Sequence, residues 1–275
     1  MCQTLGVKRQ GYYAYMRRQA ESKPDNTWQE KVELVREIVI GSDYTYGSRR
    51  VEKALSACRY PSNRGEARRL MKAAGVEVKQ RKKYKVTTNS KHSKPVYDNV
   101  LDRGFQVAQP NQGYVGDITY IWTNEGWLYL AVVIDLHSRK VVGWSMDKRM
   151  TASLVCDALT MAIWQRQPAK GLIVHSDQGA QYASHAYRNL IEKHGFVGSM
   201  SRKGNCWDNA VSESFFGTLK QERVQWRHYQ TRREAIADIR DYIVMHYNEK
   251  RLHSYLGYVS PNDYEREFRL LEKVA

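Results

Sequence analysis

Residues 127–134 read WLYLAVVI, a nearly unbroken apolar run close to the middle of the chain. Such a run is typical of a central strand that is covered on both faces. A stretch rich in β-forming residues, 114–122, precedes it, and RKVVGWSM at 139–146 follows as a third strand. Three consecutive strands therefore predict a sheet at the centre of the fold.

Helix and strand patterns alternate after these strands. Apolar pairs recur from Thr151 to Arg166 at the spacing of a helix packed on one side. A short buried strand at 171–174 leads to the sequence HSD, and a helix near 184–194 and a strand near 196–200 follow. Thr231 and Glu234 form a capping box that predicts the start of a further long helix. The apolar stripe of this helix consists of Ile236, Ile239, Ile243 and Tyr247. This order predicts an α/β fold, a mixed sheet flanked by helices.

The N-terminal part predicts several short helices. Apolar residues recur at helical spacing over 28–40, and Ser48 is expected to cap a second helix. Asn63 followed by Glu66 resembles a capping box and predicts a third helix that ends at Gly75. Short helices joined by short turns favour a small all-α, helix-turn-helix-like domain. A helical bundle with a solvated basic surface is the alternative.

Positive charge is concentrated in the first third of the chain. Residues 1–94 contain 22 Lys and Arg against 9 Asp and Glu, whereas residues 95–275 contain 22 against 20. A local excess of this kind indicates a module that binds a polyanion such as nucleic acid. The candidate DNA contacts are basic residues of this part: Arg49, Arg50, Arg68, Arg69, Lys82 and Lys83.

Composition excludes several classes of protein. Hydrophobic residues make up 42% of the 275 and charged residues 27%, which is an ordinary globular balance. The four cysteines form no CxxC pair, which argues against a disulfide framework or a structural zinc site and fits a reducing cytoplasm. No secretory signal and no apolar run of membrane-spanning length is found, so we expect a cytoplasmic protein without membrane contact, bound to the nucleoid when it binds DNA.

These patterns divide the chain into four regions. Residues 1–76 are the basic helical region, and 77–110 are a basic linker. Residues 111–225 are the α/β core, and 226–275 are a C-terminal helical extension.

Three acidic residues occupy suggestive places in the predicted core. Asp117 lies within its first strand, Asp177 ends the later buried strand, and Glu213 lies in a helix after a glycine-containing loop. Thirty-five residues separate Asp177 from Glu213, a spacing that is weak by itself because acids at such separations occur by chance. The ends of strands converge at one edge of a sheet, however, and a helix can bring a third carboxylate there.

The helix around Glu213 has an inward and an outward face. Val211, Phe215 and Leu219 share one face, and Glu213 and Lys220 share another. Carboxylates brought together raise one another's pKa, which a hard divalent cation such as Mg²⁺, or Mn²⁺ in its place, would offset. Two such ions can assist an in-line displacement at a phosphodiester.

Several other polar and aromatic residues have structural interpretations. Asp208 is expected to be the N-cap of the Glu213 helix, Asp135 a turn residue and His175 a packed residue at a strand end. For the tryptophans near the candidate site, a role as anchors of the core or of loops is favoured over a role as base-stacking platforms. They are Trp122, Trp127 and Trp207.

Longer motifs carry a resemblance to a known family. GDITYI at 116–121, VIDLHSRKVVGW at 133–144, HSDQGAQY at 175–182 and GNCWDNAVSESFFGTLKQE at 204–222 resemble the catalytic core of bacterial insertion-sequence transposases with the D,D-35-E signature. LGVKRQGYYAY, YGSRRVEKAL and YNEKRLHSYLGYVSPNDY resemble the remaining parts of the downstream-reading-frame product of this group. The group is similar to retroviral integrases, so the resemblance implies a ribonuclease H-like fold.

The resemblance also implies an activity and its residues. It implies that Asp117, Asp177 and Glu213 are metal-binding catalytic acids and that Lys220 contacts the DNA end. It implies that hydrolysis exposes a 3′-hydroxyl at the end of the element, and that this hydroxyl attacks another phosphodiester. Double-stranded DNA, a homo-oligomer of at least two copies and an upstream-frame fusion partner are the partners it suggests. A nuclease without strand transfer and a DNA-binding regulator with an unused core are the alternatives.

Overall fold

The computed structural model of the chain describes residues 6, 8–21, 26–79, 95–202 and 206–272. It contains two compact units, Met1–Val78 and Lys79–Ala275.

The first unit is helical. It contains α1 (Arg9–Glu21), α2 (Asn26–Gly41), α3 (Ser48–Ala57) and α4 (Arg64–Ala73). The predicted cap of α4 is confirmed, because the Asn63 side chain accepts the Glu66 N–H at 2.9 Å. The predicted cap of α3 is wrong: Gly47 is the N-cap residue, and Ser48 already lies within the helix.

Apolar side chains of α2, α3 and α4 form the core of this unit. Val35, Val39, Val51, Leu55 and Leu70 are fully buried. The helices thus pack through one face each and leave their basic residues outside.

The second unit is built on a five-stranded sheet in the order β3-β2-β1-β4-β5. The strands are β1 (Gly113–Thr123), β2 (Gly126–Asp135), β3 (Val141–Asp147), β4 (Ile173–Ser176) and β5 (Val197–Met200). The first three are antiparallel because short turns join them, while β4 and β5 run parallel to β1 because helices cross between them. The predicted mixed sheet is therefore confirmed.

Helices cover both faces of this sheet. On one face α5 (Ala152–Arg166) and α6 (His185–Lys193) enclose a core with Tyr114, Val133 and Val174. On the other, α7 (Ala210–Glu222) and α8 (Arg232–Asp241) pack on Val115, Ile121 and the even-numbered residues of β2. The run at 127–134 is apolar because its side chains enter both cores.

The C-terminal residues complete the second unit. Thr231 caps α8 as predicted, since it accepts the Glu234 N–H at 3.1 Å. The chain continues as a π-helical segment, Tyr242–Asn248, and ends in α9 (Pro261–Glu272). Ile239, Ile243 and Tyr247 are buried as expected, but Ile236 is 37% exposed, so the predicted stripe starts one turn later.

The segment before β1 also packs on the second unit. Leu101 is buried in the α7 and α8 core, and its N–H donates to the Ser199 hydroxyl at 3.0 Å. The predicted linker, 77–110, overlaps this packed segment. In the described part of the chain, no helix is both long and apolar enough to cross a membrane.

Candidate active site

Asp117 and Asp177 emerge side by side from two adjacent parallel strands. Gly116 of β1 pairs with Ser176 of β4, and the two aspartates are the residues that follow. Neighbouring strands lie about 4.8 Å apart, so the register itself brings the two carboxylates to one point of the sheet. Strand β4 ends there, whereas β1 continues to Thr123.

A backbone turn fixes the Asp177 carboxylate. Its Oδ1 accepts the Gly179 N–H at 2.9 Å. A Cβ atom at position 179 would lie 2.9 Å from that same oxygen, which is closer than real contacts allow. Glycine is therefore required for the turn to hold the carboxylate in this place.

The other two predicted acids affect the pKa of Asp117 through their charges. Burial raises the pKa of Asp117 well above its ordinary value, and the negative charges of Asp177 and Glu213 raise it further. The Ile118 N–H, which donates to Oδ1 at 2.7 Å, and the Lys220 ammonium act in the opposite direction. The fold therefore places Asp117 within electrostatic reach of two acids and one lysine that come from later parts of the sequence.

Helix α7 presents Glu213 and Lys220 as its periodicity predicts. Phe215 and Leu219 are buried in the core, whereas Glu213 and Lys220 remain half-buried on the other side. Burial raises the pKa of Glu213. Burial lowers the pKa of Lys220 and the Asp117 charge opposes this effect; the ammonium lies 5.1 Å from the centre of the Tyr120 ring.

A buried tyrosine that sequence reasoning missed also faces the acids. The Tyr182 ring lies against the backbone of Gly116, and burial, followed by the charges of Asp117 and Asp177, raises its pKa. The hydroxyl therefore stays protonated beside the two carboxylates. Its signal in the sequence is its place five residues after Asp177, in HSDQGAQY.

Asp208 does not cap α7, so that expectation is wrong. Asn209 precedes the helix, and the Asp208 carboxylate instead accepts Arg202 Nε and Arg103 Nε, each at 2.9 Å. The hydrogen bonds from Arg202 are the main cause that lowers the pKa of Asp208. These ion pairs tie the chain before α7 to the segment before β1.

The structural interpretations of His175 and Asp135 are confirmed. His175 is fully buried, its Nδ1 lies 2.9 Å from the Ser199 hydroxyl, and burial lowers its pKa to about 4. The Asp135 carboxylate accepts the N–H groups of Asn111 and His137 at 2.9 and 2.8 Å.

The tryptophans of the β1–β2 hairpin are not core residues. Trp122 is 57% exposed and Trp127 is 42% exposed, so they do not anchor the core; they pair with each other beside the hairpin turn, which agrees with the other half of the expectation, that they anchor a loop. The Trp207 side chain lies outside the described residues.

The predicted DNA-contacting arginines lie in the helical unit. Arg49, Arg68 and Arg69 are exposed, and the Arg50 guanidinium lies 5.3 Å from the centre of the Tyr46 ring. Lys82 and Lys83 lie outside the described residues.

The donor set fits a hard divalent cation. Asp117, Asp177 and Glu213 offer oxygen ligands alone, and their mutual repulsion would be offset by such an ion. Among the described residues, no group of three or more His, Cys, Asp or Glu side chains is arranged to hold an ion by itself. Mg²⁺ commonly takes one or two carboxylates and completes its shell with water and substrate phosphates, which suits this arrangement.

The chain matches known families along most of its length. Residues 107–206 and 213–268 match families described as "Integrase core domain", and residues 27–84 match an "HTH-like domain". The mixed sheet and these matches confirm the expected ribonuclease H-like fold with an N-terminal helix-turn-helix-like region.

More distant similarity links the chain to solved integrase structures. The simian T-cell lymphotropic virus intasome in complex with PP2A regulatory subunit B56 gamma shares 17% identity over 80% of this chain and 70% of that chain, with a TM-score of 0.45. The catalytic core of BIV integrase shares 19% identity over 59% of this chain and 99% of its own, with a TM-score of 0.44.

Two relatives match nearly the whole chain. The "Insertion element IS600 uncharacterized 31 kDa protein" of Shigella sonnei is 41% identical over 98% of this chain and 98% of its own length. The transposase InsF for insertion sequence IS3A of Escherichia coli (strain K12) is also 41% identical, over 97% of this chain and 93% of its own. At this identity and coverage, the chain belongs to the family of insertion-sequence transposases with an integrase core domain.

Proposed function

We propose that this chain transfers phosphoryl groups of DNA at a site formed by Asp117, Asp177 and Glu213. The observation that carries the proposal is the sheet register: Gly116 pairs with Ser176, so Asp117 and Asp177 follow at one point of the sheet, where the charges of Asp177 and Glu213 add to the effect of burial on the pKa of Asp117. Acids held together in this way are unfavourable for folding alone, which points to a role in binding or chemistry.

The reaction consists of two displacements at phosphorus. First, a water oxygen attacks the phosphodiester at the end of the element, the P–O3′ bond breaks, and the 3′-oxygen leaves as a hydroxyl. That hydroxyl then attacks a second phosphodiester, where one P–O bond forms and one breaks. Strand joining thus conserves the number of phosphodiester bonds and needs no nucleotide cofactor.

Asp117 and Asp177 are the residues that would hold Mg²⁺, or Mn²⁺, with Glu213 beside them. The ion supplies charge stabilisation for the displacement when it is bound. The chain itself supplies a fixed pair of carboxylates through the strand register and the Gly179 turn. Lys220 supplies a cation beside Asp117, where the DNA end would be bound by its phosphate.

The helical unit would bind DNA without taking part in the reaction itself. Its exposed arginines and the basic segment that contains Lys82 and Lys83 fit phosphate contacts, which give affinity without base reading. Two ends of an element must be processed together, and the described residues of one chain offer one such acidic site. We therefore expect at least two copies on paired ends, acting at the bacterial nucleoid, with an upstream-frame fusion partner as a further component.

Joining of end DNA tests this function. The purified chain would be incubated with duplexes that carry the flanking inverted repeats and Mg²⁺, and the products would be separated on denaturing gels. Products longer than either substrate strand are expected. Shortened strands without joined ones would support the nuclease alternative, and binding without either product would support the regulator.

A further inference from the structure

Four aromatic residues form one patch on the β1–β2 hairpin. Tyr120 pairs with Tyr129 and Trp122 with Trp127 across the two strands, so all four share one face of the sheet. The Trp122 and Trp127 rings lie 4.8 Å apart at 75°, and the Tyr120 and Trp127 rings 5.0 Å apart at 84°. We call these four residues the aromatic patch.

The helices on this face leave part of the aromatic patch uncovered. Tyr129 packs on the core beneath α5 and α6, but Trp122 and Trp127 are 57% and 42% exposed. Edge-to-face packing of rings leaves the open side of an indole available to a further flat group. Burial of core surface therefore does not explain why two tryptophans stand here.

Asp117 lies on the opposite face of β1 from Tyr120 and Trp122, so the aromatic patch meets the acidic site through Lys220. The Lys220 ammonium lies over the Tyr120 ring and is subject to the Asp117 charge, so one side chain connects the two. At about 3.4 Å per residue, Tyr120 lies about 10 Å and Trp122 about 17 Å along β1 from Asp117. At the B-form rise of about 3.4 Å, these distances correspond to roughly three to five nucleotides.

We propose that the aromatic patch stacks unpaired bases of the DNA strand that leaves the acidic site. Aromatic rings bind any base through its flat face, and only an unpaired base exposes that face. Lys148 and Arg149, which are exposed and follow the cross-strand neighbour of Tyr129, add positive charge for the backbone. This inference rests on the proposed function, since it takes the same DNA as its ligand.

The size of the aromatic patch favours bases over a second protein chain. With about 250 Å² for a whole tryptophan, the two exposed indoles offer on the order of 250 Å² together. A stable protein interface needs about 800 Å² from each partner. The tip beside the indoles carries Asn124 and Glu125, which offer no further apolar area.

The test compares binding to forked and blunt DNA. The blunt probe is a 30-base-pair duplex of an element end. The probe that we call forked is the same duplex with a tail of five unpaired thymidines on one strand. Trp122→Ala should weaken binding of the forked probe between about fivefold and about 100-fold, at the usual strength of base stacking. Binding of the blunt probe should change less than twofold, and Trp122→Phe should restore most of the loss.

Trp164→Ala is the matched control, because Trp164 is 79% exposed on α5, away from the hairpin. It should leave the binding of both probes unchanged. Equal losses on both probes, or no loss, in a folded Trp122→Ala protein would overturn the inference. So would a change from dimer to monomer without DNA, with the preference for the fork intact.

The same proteins separate this inference from the proposed function. If wild type joins end DNA but Trp122→Ala keeps its full preference for the fork, the stacking inference alone fails. If wild type prefers the fork through Trp122 but never joins DNA, the proposed function fails and the stacking site stands.

Discussion

Carboxylates that are buried or half-buried lie in two regions of the second unit, and the two regions differ in the cations that face them. In one region Arg166 donates to Glu265 at 2.8 Å and lies 3.4 Å from Asp135. In the other, Asp117 faces two further acids and Lys220. Burial alone would raise the pKa of Glu265, but the hydrogen bonds and charge of Arg166 outweigh it, so that this pKa is lowered. Burial raises the pKa of both Asp117 and Asp135, but two further acids add to the effect at Asp117, whereas backbone hydrogen bonds and the Arg166 charge oppose it at Asp135. This difference in neighbours distinguishes a structural ion pair from a site prepared for a ligand.

The largest expected effect is the loss of end joining when an acid of the acidic region is replaced. Asp117→Asn should reduce end joining at least about 1000-fold, the scale seen when a central catalytic group is removed. The free energy of unfolding in metal-free buffer should stay the same or rise by about 1 kcal/mol, since one repelling charge is gone. Joining gels and urea unfolding measure the two effects. Substantial joining by a folded variant would remove Asp117 from the site.

The opposite result is expected for the arginine-paired region. Arg166→Met leaves Glu265 and Asp135 buried without their guanidinium, which should lower the free energy of unfolding by about 3–5 kcal/mol. Arg240→Met is the control, because its pair with Asp241 is exposed and should contribute less than about 1 kcal/mol. Similar unfolding curves for the two variants would contradict the distinction between the regions.

Two neighbouring tyrosines, only one of which lies near the acids, test whether polar groups around the acidic region contribute to joining. Tyr182→Phe removes a buried polar group near the two aspartates, and we expect joining to fall roughly 10-fold, at about 1–1.5 kcal/mol for the loss of one polar neighbour. Tyr187, whose ring contacts Tyr182 at 5.2 Å, is equally buried, but its pKa is raised by burial, Cys156 and Tyr97. Tyr187→Phe should therefore join DNA as wild type does. Equal losses of joining in the two variants would mean that both tyrosines act through packing alone.

Asp208 gives a pH-dependent test of its ion pairs. Its pKa is lowered mainly by the hydrogen bonds from Arg202, so its stabilisation is complete above the unfolded value of about 3.9 and is lost as pH falls below it. We expect the free energy of unfolding of the wild type to exceed that of Asp208→Asn by about 2 kcal/mol at pH 6. The difference should shrink between pH 4 and pH 2 in urea unfolding. A difference that is constant with pH would exclude the charged pair as its source.

The smallest effect concerns the helical unit. Arg68→Ala and Arg69→Ala should each reduce the slope of log affinity against log salt by about 0.9 if each arginine contacts one phosphate. Arg240→Ala removes an equally exposed charge from the other unit and should leave the slope unchanged. Binding of a blunt duplex across salt concentrations measures this, and three equal slopes would place the DNA contacts elsewhere.

Local patterns predicted much of this architecture. The apolar run at 127–134 and the Asn63 and Thr231 caps depend on neighbouring residues, and all three are confirmed. The face shared by Glu213 and Lys220 follows from helical periodicity and is also seen.

The misses around the candidate site have a common physical cause, which is a contact with residues distant in sequence. Asp208 looks like a cap until Arg103, 105 residues away, reaches its carboxylate. The indoles of Trp122 and Trp127 look like core until the extent of α5 and α6 is known. Tyr182 faces Asp117 only because β1 and β4 pair in parallel. No local pattern contains these contacts.

The early end of β4 has a consequence for how the chain avoids aggregation. Beyond Gly116, β1 continues without β4, and within the described residues its edge is bridged only at Thr123, by Tyr229. An open strand edge is a template on which another chain can add a strand, and charged side chains are a common protection against this. Here Asp117 and Lys220 stand at that edge. The charges that we assign to DNA chemistry are therefore also of the kind that disfavours edge-to-edge pairing of two copies of the chain.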